Sequence, residues 1–255
     1  MIGDTMCAYK VKKKKRFIIP IVIIAILLAI AATCVIYVSD YYRADKEAID
    51  AFMPGAELPV RELDDGTLLI GNESAECGFV FYPGGKVEYT AYIPLMRAVA
   101  EKSGVLCALV RMPCNLAVLD SNAAGDVLAE CTSVNRWYIG GHSLGGSMAA
   151  SYASSHADDF EGVILLASYS TADLSGSELR VLSVYGSEDG VMNREKYEKN
   201  LKNLPSDFAE FVIDGGSHAY FGMYGEQDGD GKATITDSEQ IMISAELISA
   251  FFLGK

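Results

Sequence analysis

Residues 135–155 read NRWYIGGHSLGGSMAASYASS. Asn135–Ile139 has the look of a strand, and the run of small residues ending near His156 has the look of a helix. Between them, Gly141-His142-Ser143-Leu144-Gly145 fits the pattern G-x-S-x-G, in which a serine sits on a sharp strand-to-helix turn. Such a turn holds the serine in a strained backbone conformation. The chain packs so closely around it that only glycine fits two residues to either side, and Gly146 eases contact between helix and sheet. The serine also stands at a helix N-terminus, where unpaired N–H groups and the dipole favour developing negative charge. A phosphate-binding loop is the competing reading, but the lysine that should follow such a loop is absent.

Working outward from this turn, strands and helices alternate. Leu58–Leu63 and Thr67–Ile70 read as paired strands joined at Asp64-Asp65-Gly66. Gly78–Tyr82 is an apolar run ending in Pro83-Gly84-Gly85, and Tyr89–Ser103 has helical spacing stopped by Gly104. Val105–Val110 is an apolar strand, and Asn115 is placed to cap a helix running to about Cys131. After the central turn come strands at Gly162–Ala167, Arg180–Tyr185 and Phe208–Ile213, with helices at Asn193–Leu204 and Ser238–Leu253. Continuous apolar strands separated by helices predict an α/β fold: a mostly parallel central sheet with helices on both faces.

The chain has 255 residues, half of them hydrophobic, enough for one full-sized core. Its net charge of −13 is unevenly spread. Residues 1–16 carry Lys10, Lys12, Lys13, Lys14, Lys15 and Arg16 against the single acid Asp4, and residues 17–38 carry no charge. Residues 39–255 therefore hold a net of −18, which repels phosphate backbones and argues against nucleic acid as a partner. The six cysteines, Cys7, Cys34, Cys77, Cys107, Cys114 and Cys131, show no metal-ligand spacing, and no disulfide pairing follows from the sequence.

Phe17–Val38 is 22 residues without a charge. A helix needs about 20 to cross the hydrocarbon core of a bilayer. Pro20 falls near the first turn of that span, where a missing N–H costs little. The flanking Lys-Lys-Lys-Lys-Arg should stay on the cytoplasmic side. The expected organisation is a basic cytoplasmic tail at 1–16, a transmembrane signal anchor at 17–38, a stalk at 39–56 and an extracytoplasmic domain at 57–255. A cleaved signal peptide is the alternative, although its apolar region is ordinarily only about 7–15 residues.

A serine hydroxyl needs a base to take its proton. Only three histidines are present. His142 adjoins Ser143, and the turn should point it away from the hydroxyl. His156 falls near the end of the following helix, at the expected surface. His218 lies in Gly215-Gly216-Ser217-His218, just after the last strand, and is the remaining candidate.

The segment GGHSLGG, with YPGGKV upstream and YGSEDG and GGSHAYFG downstream, resembles the α/β-hydrolase superfamily, and within it a compact bacterial branch of single-domain, often membrane-anchored members. The similarity spans about residues 57–253. It implies the α/β-hydrolase fold and a Ser–acid–His order along the chain. The resemblance assigns Ser143 as nucleophile, Asp189 as the acid and His218 as the base, with Glu188 and Asp214 as rival acids. The oxyanion donors it implies are the N–H of Leu144 and one from the loop after Tyr82, Gly85 or alternatively Lys86; a proline stands here where many relatives carry histidine.

The implied activity is esterase-like: hydrolysis of a carboxylic ester, thioester or related acyl bond of a small-molecule acyl substrate. The alternatives are acyl transfer or peptide cleavage by the same residues, or a non-catalytic binding protein of the same fold. Only Ser168–Leu179 separate the two strands between which many members insert a cap, so an open site is expected. Asp228, Asp230, Thr234, Thr236 and Glu239 partly match a calcium loop, but Lys232 and Ala233 depart from it and a flanking helix is missing. No metal, nucleotide or flavin cofactor is expected.

Overall fold

The computed structural model describes residues 4–52 and 58–254, with side chains from residue 19. The chain divides into two units, Met1–Asp40 and Tyr41–Lys255. The first is one helix, α1 (Asp4–Ser39). Within it Ile19–Ser39, 21 residues with a mean hydropathy of 3.0, is long and apolar enough to cross a membrane, and none of its most apolar window is buried. Because α1 begins well before the apolar stretch, Pro20 stands in the helix interior and not in a first turn. It removes one intrahelical hydrogen bond there.

The second unit opens with Tyr42, whose backbone bridges to Val87. Its N–H donates to the Lys86 carbonyl at 2.8 Å, and its carbonyl accepts from Glu88 N–H at 2.9 Å. Asp45 N–H reaches the Met223 carbonyl at 2.8 Å, and helix α2 (Lys46–Phe52) follows with Ile49 buried. The segment read as a stalk thus lies against the body of the fold over residues 41–52; its remainder, 53–56, falls outside the described residues together with residue 57.

Strands β1 (Val60–Glu62) and β2 (Leu68–Ile70) pair antiparallel about the expected Asp-Asp-Gly turn. β3 (Cys77–Tyr82) leads through a 3₁₀ turn at Tyr89–Tyr92 into α3 (Ile93–Ser103). The expected helix starts late because Pro94 occupies its first turn. After β4 (Leu106–Leu109), the helix read from Asn115 is absent. Cys114 and Asn115 take φ of 51° and 55°, which a right-handed helix cannot contain, and α4 (Ala123–Glu130) begins only after two 3₁₀ turns.

β5 (Arg136–His142) and α5 (Leu144–Ser155) flank Ser143. β6 (Gly162–Leu166), β7 (Arg180–Gly186), α6 (Arg194–Asn200), β8 (Phe208–Ile213) and α7 (Asp237–Phe252) complete the order. Asn193 caps α6 by accepting from Lys196 N–H, and Thr236 with Glu239 forms a capping box on α7. The connection Ser168–Leu179 has neither helix nor strand.

Among the described residues the sheet has the order β1-β2-β4-β3-β5-β6-β7-β8, parallel from β4 through β8. Alternation along β3 shows how two cores form. Phe79 and Phe81 point to one face with Leu95, Met96 and Val99 of α3 and Ile241, Ala245 and Ile248 of α7. Val80 and Tyr82 point to the other, with Val127 of α4 and Ala149, Ala150 and Ala153 of α5. With both faces covered, the central strands are continuously apolar, as the sequence pattern predicts. Parallel pairing places the carboxyl ends of β3, β5, β6, β7 and β8 along one edge, and the loops there carry every candidate site residue.

Candidate active site

Ser143 takes φ 52° and ψ −121°, a conformation that side-chain-bearing residues avoid. The surroundings impose it. Its N–H donates to the Leu166 carbonyl at 2.9 Å, and its carbonyl accepts the Ser168 hydroxyl at 2.7 Å and the Ser147 N–H at 3.2 Å. A Cβ on Gly141 would strike the Tyr82 carbonyl and lie 2.7 Å from Gly145 C; one on Gly145 would strike the Tyr82 and Pro83 carbonyls. Glycine at both places is thus a steric requirement of the turn.

His218 and Asp189 come together from separate loops. Asp189 Oδ2 is 2.9 Å from His218 Nδ1, with side-chain exposures of 0% and 2%. Asp189 Oδ1 is engaged by the N–H groups of Val191 and Met192 at 2.9 and 2.8 Å, which fixes the carboxylate and presents Oδ2 to the ring. Facing a carboxylate, Nδ1 is the nitrogen that carries the proton. Nε2 then carries the lone pair; it is buried and, among the described residues, has no hydrogen-bond partner. The Ser143 hydroxyl is therefore not bonded to it in this conformation, a common condition of catalytic contacts before substrate binds.

His142 precedes Ser143 in the chain and packs against His218. It is buried, its ring lies 4.6 Å from that of His218, and its Nε2 is 3.0 Å from the His218 carbonyl. A carbonyl only accepts, so Nε2 carries the hydrogen and Nδ1 is the acceptor. Nδ1 receives the Tyr92 hydroxyl at 2.8 Å, and that hydroxyl accepts the Gly84 N–H at 3.2 Å. Burial first, and the nearby His218 second, push the His142 pKa well below its ordinary value, so the ring is neutral. The His142 ring nitrogens are directed to the Tyr92 hydroxyl and the His218 carbonyl within the buried interior. His156 is half-buried instead of lying at the surface: its ring stacks on Tyr152 at 4.0 Å and its Nδ1 is 3.0 Å from the Tyr152 carbonyl.

Of the rival acids, Glu188 and Asp214 are both exposed, and among the described residues Glu188 accepts only from its neighbour Ser187. Leu144 is the first residue of α5, so no carbonyl within the helix takes its N–H. A Cβ on Gly85 would lie 2.8 Å from Leu144 Cδ2, so the Gly85 backbone lies against the Leu144 side chain. The alternative donor Lys86 is already used: its N–H is bonded to the Asn115 carbonyl at 2.8 Å. Among the described residues no group of His, Cys, Asp and Glu is arranged to hold a metal ion, and Cys34, Cys77, Cys107, Cys114 and Cys131 are free thiols.

Three contributors escaped the sequence reading. Tyr92 was legible only as one apolar position on a helix face. Ser168 followed a strand without any motif. Asp230 lay within the partial calcium pattern, yet its carboxylate accepts the N–H groups of Gly190, His218, Ala219 and Gly231.

No curated protein matches the sequence. Solved structures that match include an esterase of Mycobacterium tuberculosis at 12% identity, with a TM-score of 0.59 over 81% of this chain and 95% of that one. A dienelactone hydrolase of Anabaena variabilis matches at 16% identity, with a TM-score of 0.55 over 79% and 98%. A monoacylglycerol lipase of Paleococcus ferrophilus matches at 12% identity, with a TM-score of 0.55 over 76% and 99%. These likenesses establish a shared fold. The family model described as "Alpha/beta hydrolase family" matches residues 78–242, from the strand before the proline-glycine loop into the last helix, and by that match the chain belongs to the alpha/beta hydrolase family.

Proposed function

We propose that the chain is a membrane-anchored serine hydrolase that cleaves a carboxylic ester, thioester or related acyl bond through an acyl-Ser143 intermediate. The observation that carries this reading is the His218 Nδ1–Asp189 Oδ2 bond at 2.9 Å, which leaves Nε2 as a buried acceptor without a partner. In the reaction, His218 Nε2 takes the Ser143 proton as Oγ attacks the acyl carbon. The oxyanion is held by the N–H groups of Leu144 and Gly85. His218 returns the proton to the departing alcohol or thiol. It then takes a proton from water, whose oxygen attacks the acyl carbon, and passes that proton back to Ser143 as the carboxylic acid leaves. Asp189 stabilises the imidazolium throughout.

The connection Ser168–Leu179 supports an open site. It is fastened to the body by Leu174 N–H to the Asn203 carbonyl at 2.7 Å and Asn203 Nδ2 to the Ser170 carbonyl at 3.0 Å. The esterase and lipase among the structural neighbours agree with an acyl substrate. Residues 17–38 act as a signal anchor, with residues 1–16 cytoplasmic and the catalytic body outside; carbonate-resistant sedimentation and digestion of the body by protease added to intact cells would support this.

The chemistry is tested with the full-length protein in detergent and a fluorophosphonate probe. Wild type should be labelled and Ser143→Ala should not. Labelling that survives the substitution removes Ser143 as the nucleophile. A panel of ester, thioester and peptide substrates then separates hydrolysis of the two acyl classes from peptide cleavage.

A further inference from the structure

Asp189 and His218 meet across two loops that the chain reaches 29 residues apart, and something must hold those loops in register. We propose that Asp230 is the positioning residue of this pair, an inference that rests on the hydrolase reading above. Its Oδ1 accepts Gly190 N–H at 3.1 Å, His218 N–H at 3.1 Å and Gly231 N–H at 2.9 Å, and its Oδ2 accepts Ala219 N–H at 2.9 Å. Gly190 directly follows the acid, and His218 and Ala219 are the base and its neighbour. One carboxylate thus grips the backbone on both sides of the dyad. Charge-assisted bonds of this kind are about twice as strong as neutral ones, and four converging on two oxygens leave little freedom.

Steric fit independently marks the same contact. A Cβ on Gly190 would lie 2.6 Å from the Gly229 carbonyl oxygen and 2.8 Å from Gly231 N, and a Cβ on Gly231 would strike the Glu188 carbonyl. The backbone of residues 229–231 is therefore pressed directly onto the acid-bearing loop, with glycine on each side of the seam. The ends of this segment are tied down as well: Tyr42 Oη accepts Asp228 N–H at 3.2 Å, and Thr234 N–H reaches the Gly215 carbonyl at 2.9 Å. Within the Asp-Gly-Asp-Gly run, the Asp230 carboxylate is committed to backbone N–H groups.

Asp230 touches no reacting atom. Its removal should loosen the distance between Asp189 and His218, and with it the aim of Nε2, while leaving substrate contacts alone. A displacement of about 1 Å at a catalytic group is enough to cost roughly 100-fold in rate. The experiment measures kcat, KM and the rate constant of fluorophosphonate labelling for full-length wild type, Asp230→Ala and Asp230→Asn in detergent, each normalised to folded protein well below its melting temperature. Asp230→Ala should lose about 100-fold in kcat and in labelling rate with KM changed less than about threefold. Asp230→Asn keeps one acceptor oxygen and should fall in between.

If Asp230→Ala does not fold, the same kcat-against-KM split in Asp230→Asn decides. A variant with a lowered melting temperature but wild-type kcat per folded molecule would reduce Asp230 to a structural residue and overturn the proposal, as would a change confined to KM. Absence of labelling and turnover in wild type would remove the hydrolase reading, and this proposal with it; labelled wild type with equally reactive Asp230 variants would remove this proposal alone.

Discussion

His142 offers a quantitative test of the buried linkage beneath the site. Its ring is neutral in the fold because burial and the neighbouring His218 hold its pKa well below 6.5. In the unfolded chain it titrates near 6.5. Between those two values the unfolded state binds the extra proton, so stability is fully present above the unfolded pKa and is lost as pH falls below it. Because the folded pKa is held well below 6.5, the loss between pH 7.5 and 5.5 is at most about 1.4 kcal/mol.

The groups in contact with the ring cannot reverse this sign. They are the Tyr92 hydroxyl, the His218 carbonyl and ring, and the Phe221 ring, none of them a carboxylate. Protonation of His218 would push His142 further in the same direction. Other carboxylates and histidines titrate too, so the informative quantity is a difference: the unfolding free energy of wild type minus that of His142→Gln, from urea titrations at a series of pH values. That difference should be level above about pH 7.5 and fall by up to about 1.4 kcal/mol by pH 5.5. A difference that stays level down to pH 5 would mean that His142 titrates alike in both states, and the account of a neutral, Nε2-protonated ring joining the two loops would be wrong.

Two further outcomes follow from the site's geometry. Asp189→Asn removes the carboxylate that fixes the His218 tautomer and should lower kcat about 10⁴-fold; a loss under tenfold would transfer the acid's role to another carboxylate. Gly145→Ala drives a methyl into the Tyr82 and Pro83 carbonyls and should destabilise the fold by about 3 kcal/mol, read from chemical denaturation; wild-type stability would contradict the tight turn around Ser143.

What the sequence made legible, and what it hid, divides along a physical line. Strand β8 and the Ser143 turn were readable because period, β-branched content and glycine spacing are local signals. Asp189 came from the family resemblance of the segment after β7, and His218 from elimination among three histidines together with that resemblance; nothing local says that their side chains meet. The helix expected from Asn115 failed because the backbone there is bent into positive φ by residues other than glycine, and a propensity reading takes asparagine before an apolar run as a cap. Tyr92 and His142 were hidden for a different reason. Each is a buried polar group whose partner lies far away in sequence: 50 residues separate one bonded pair and 76 the other. A hydrophobic-face reading records such residues as filling.

The positions of backbone strain supply a reading of the site that owes nothing to its motif. Among the described residues, the non-glycine residues with positive φ are Lys86, Cys114, Asn115, Ser143 and Ala167. Lys86 follows β3, Cys114 and Asn115 follow β4, Ser143 follows β5 and Ala167 follows β6, so all five stand beyond the carboxyl ends of adjacent parallel strands. They are also bonded to one another's surroundings. Asn115 receives Lys86 N–H, and Leu166, the residue before Ala167, receives Ser143 N–H. Conformations of this kind cost about 1–3 kcal/mol each for residues with a side chain and persist only where the rest of the fold over-determines them. A fold under selection for stability alone would have little reason to gather them on one edge or to leave the buried Nε2 of His218 unpaired beside them. The strain therefore singles out this edge on grounds independent of the motif: Ser143 stands on its turn, the Gly85 backbone lies against the Leu144 side chain after β3, and the buried Nε2 of His218 faces the same edge.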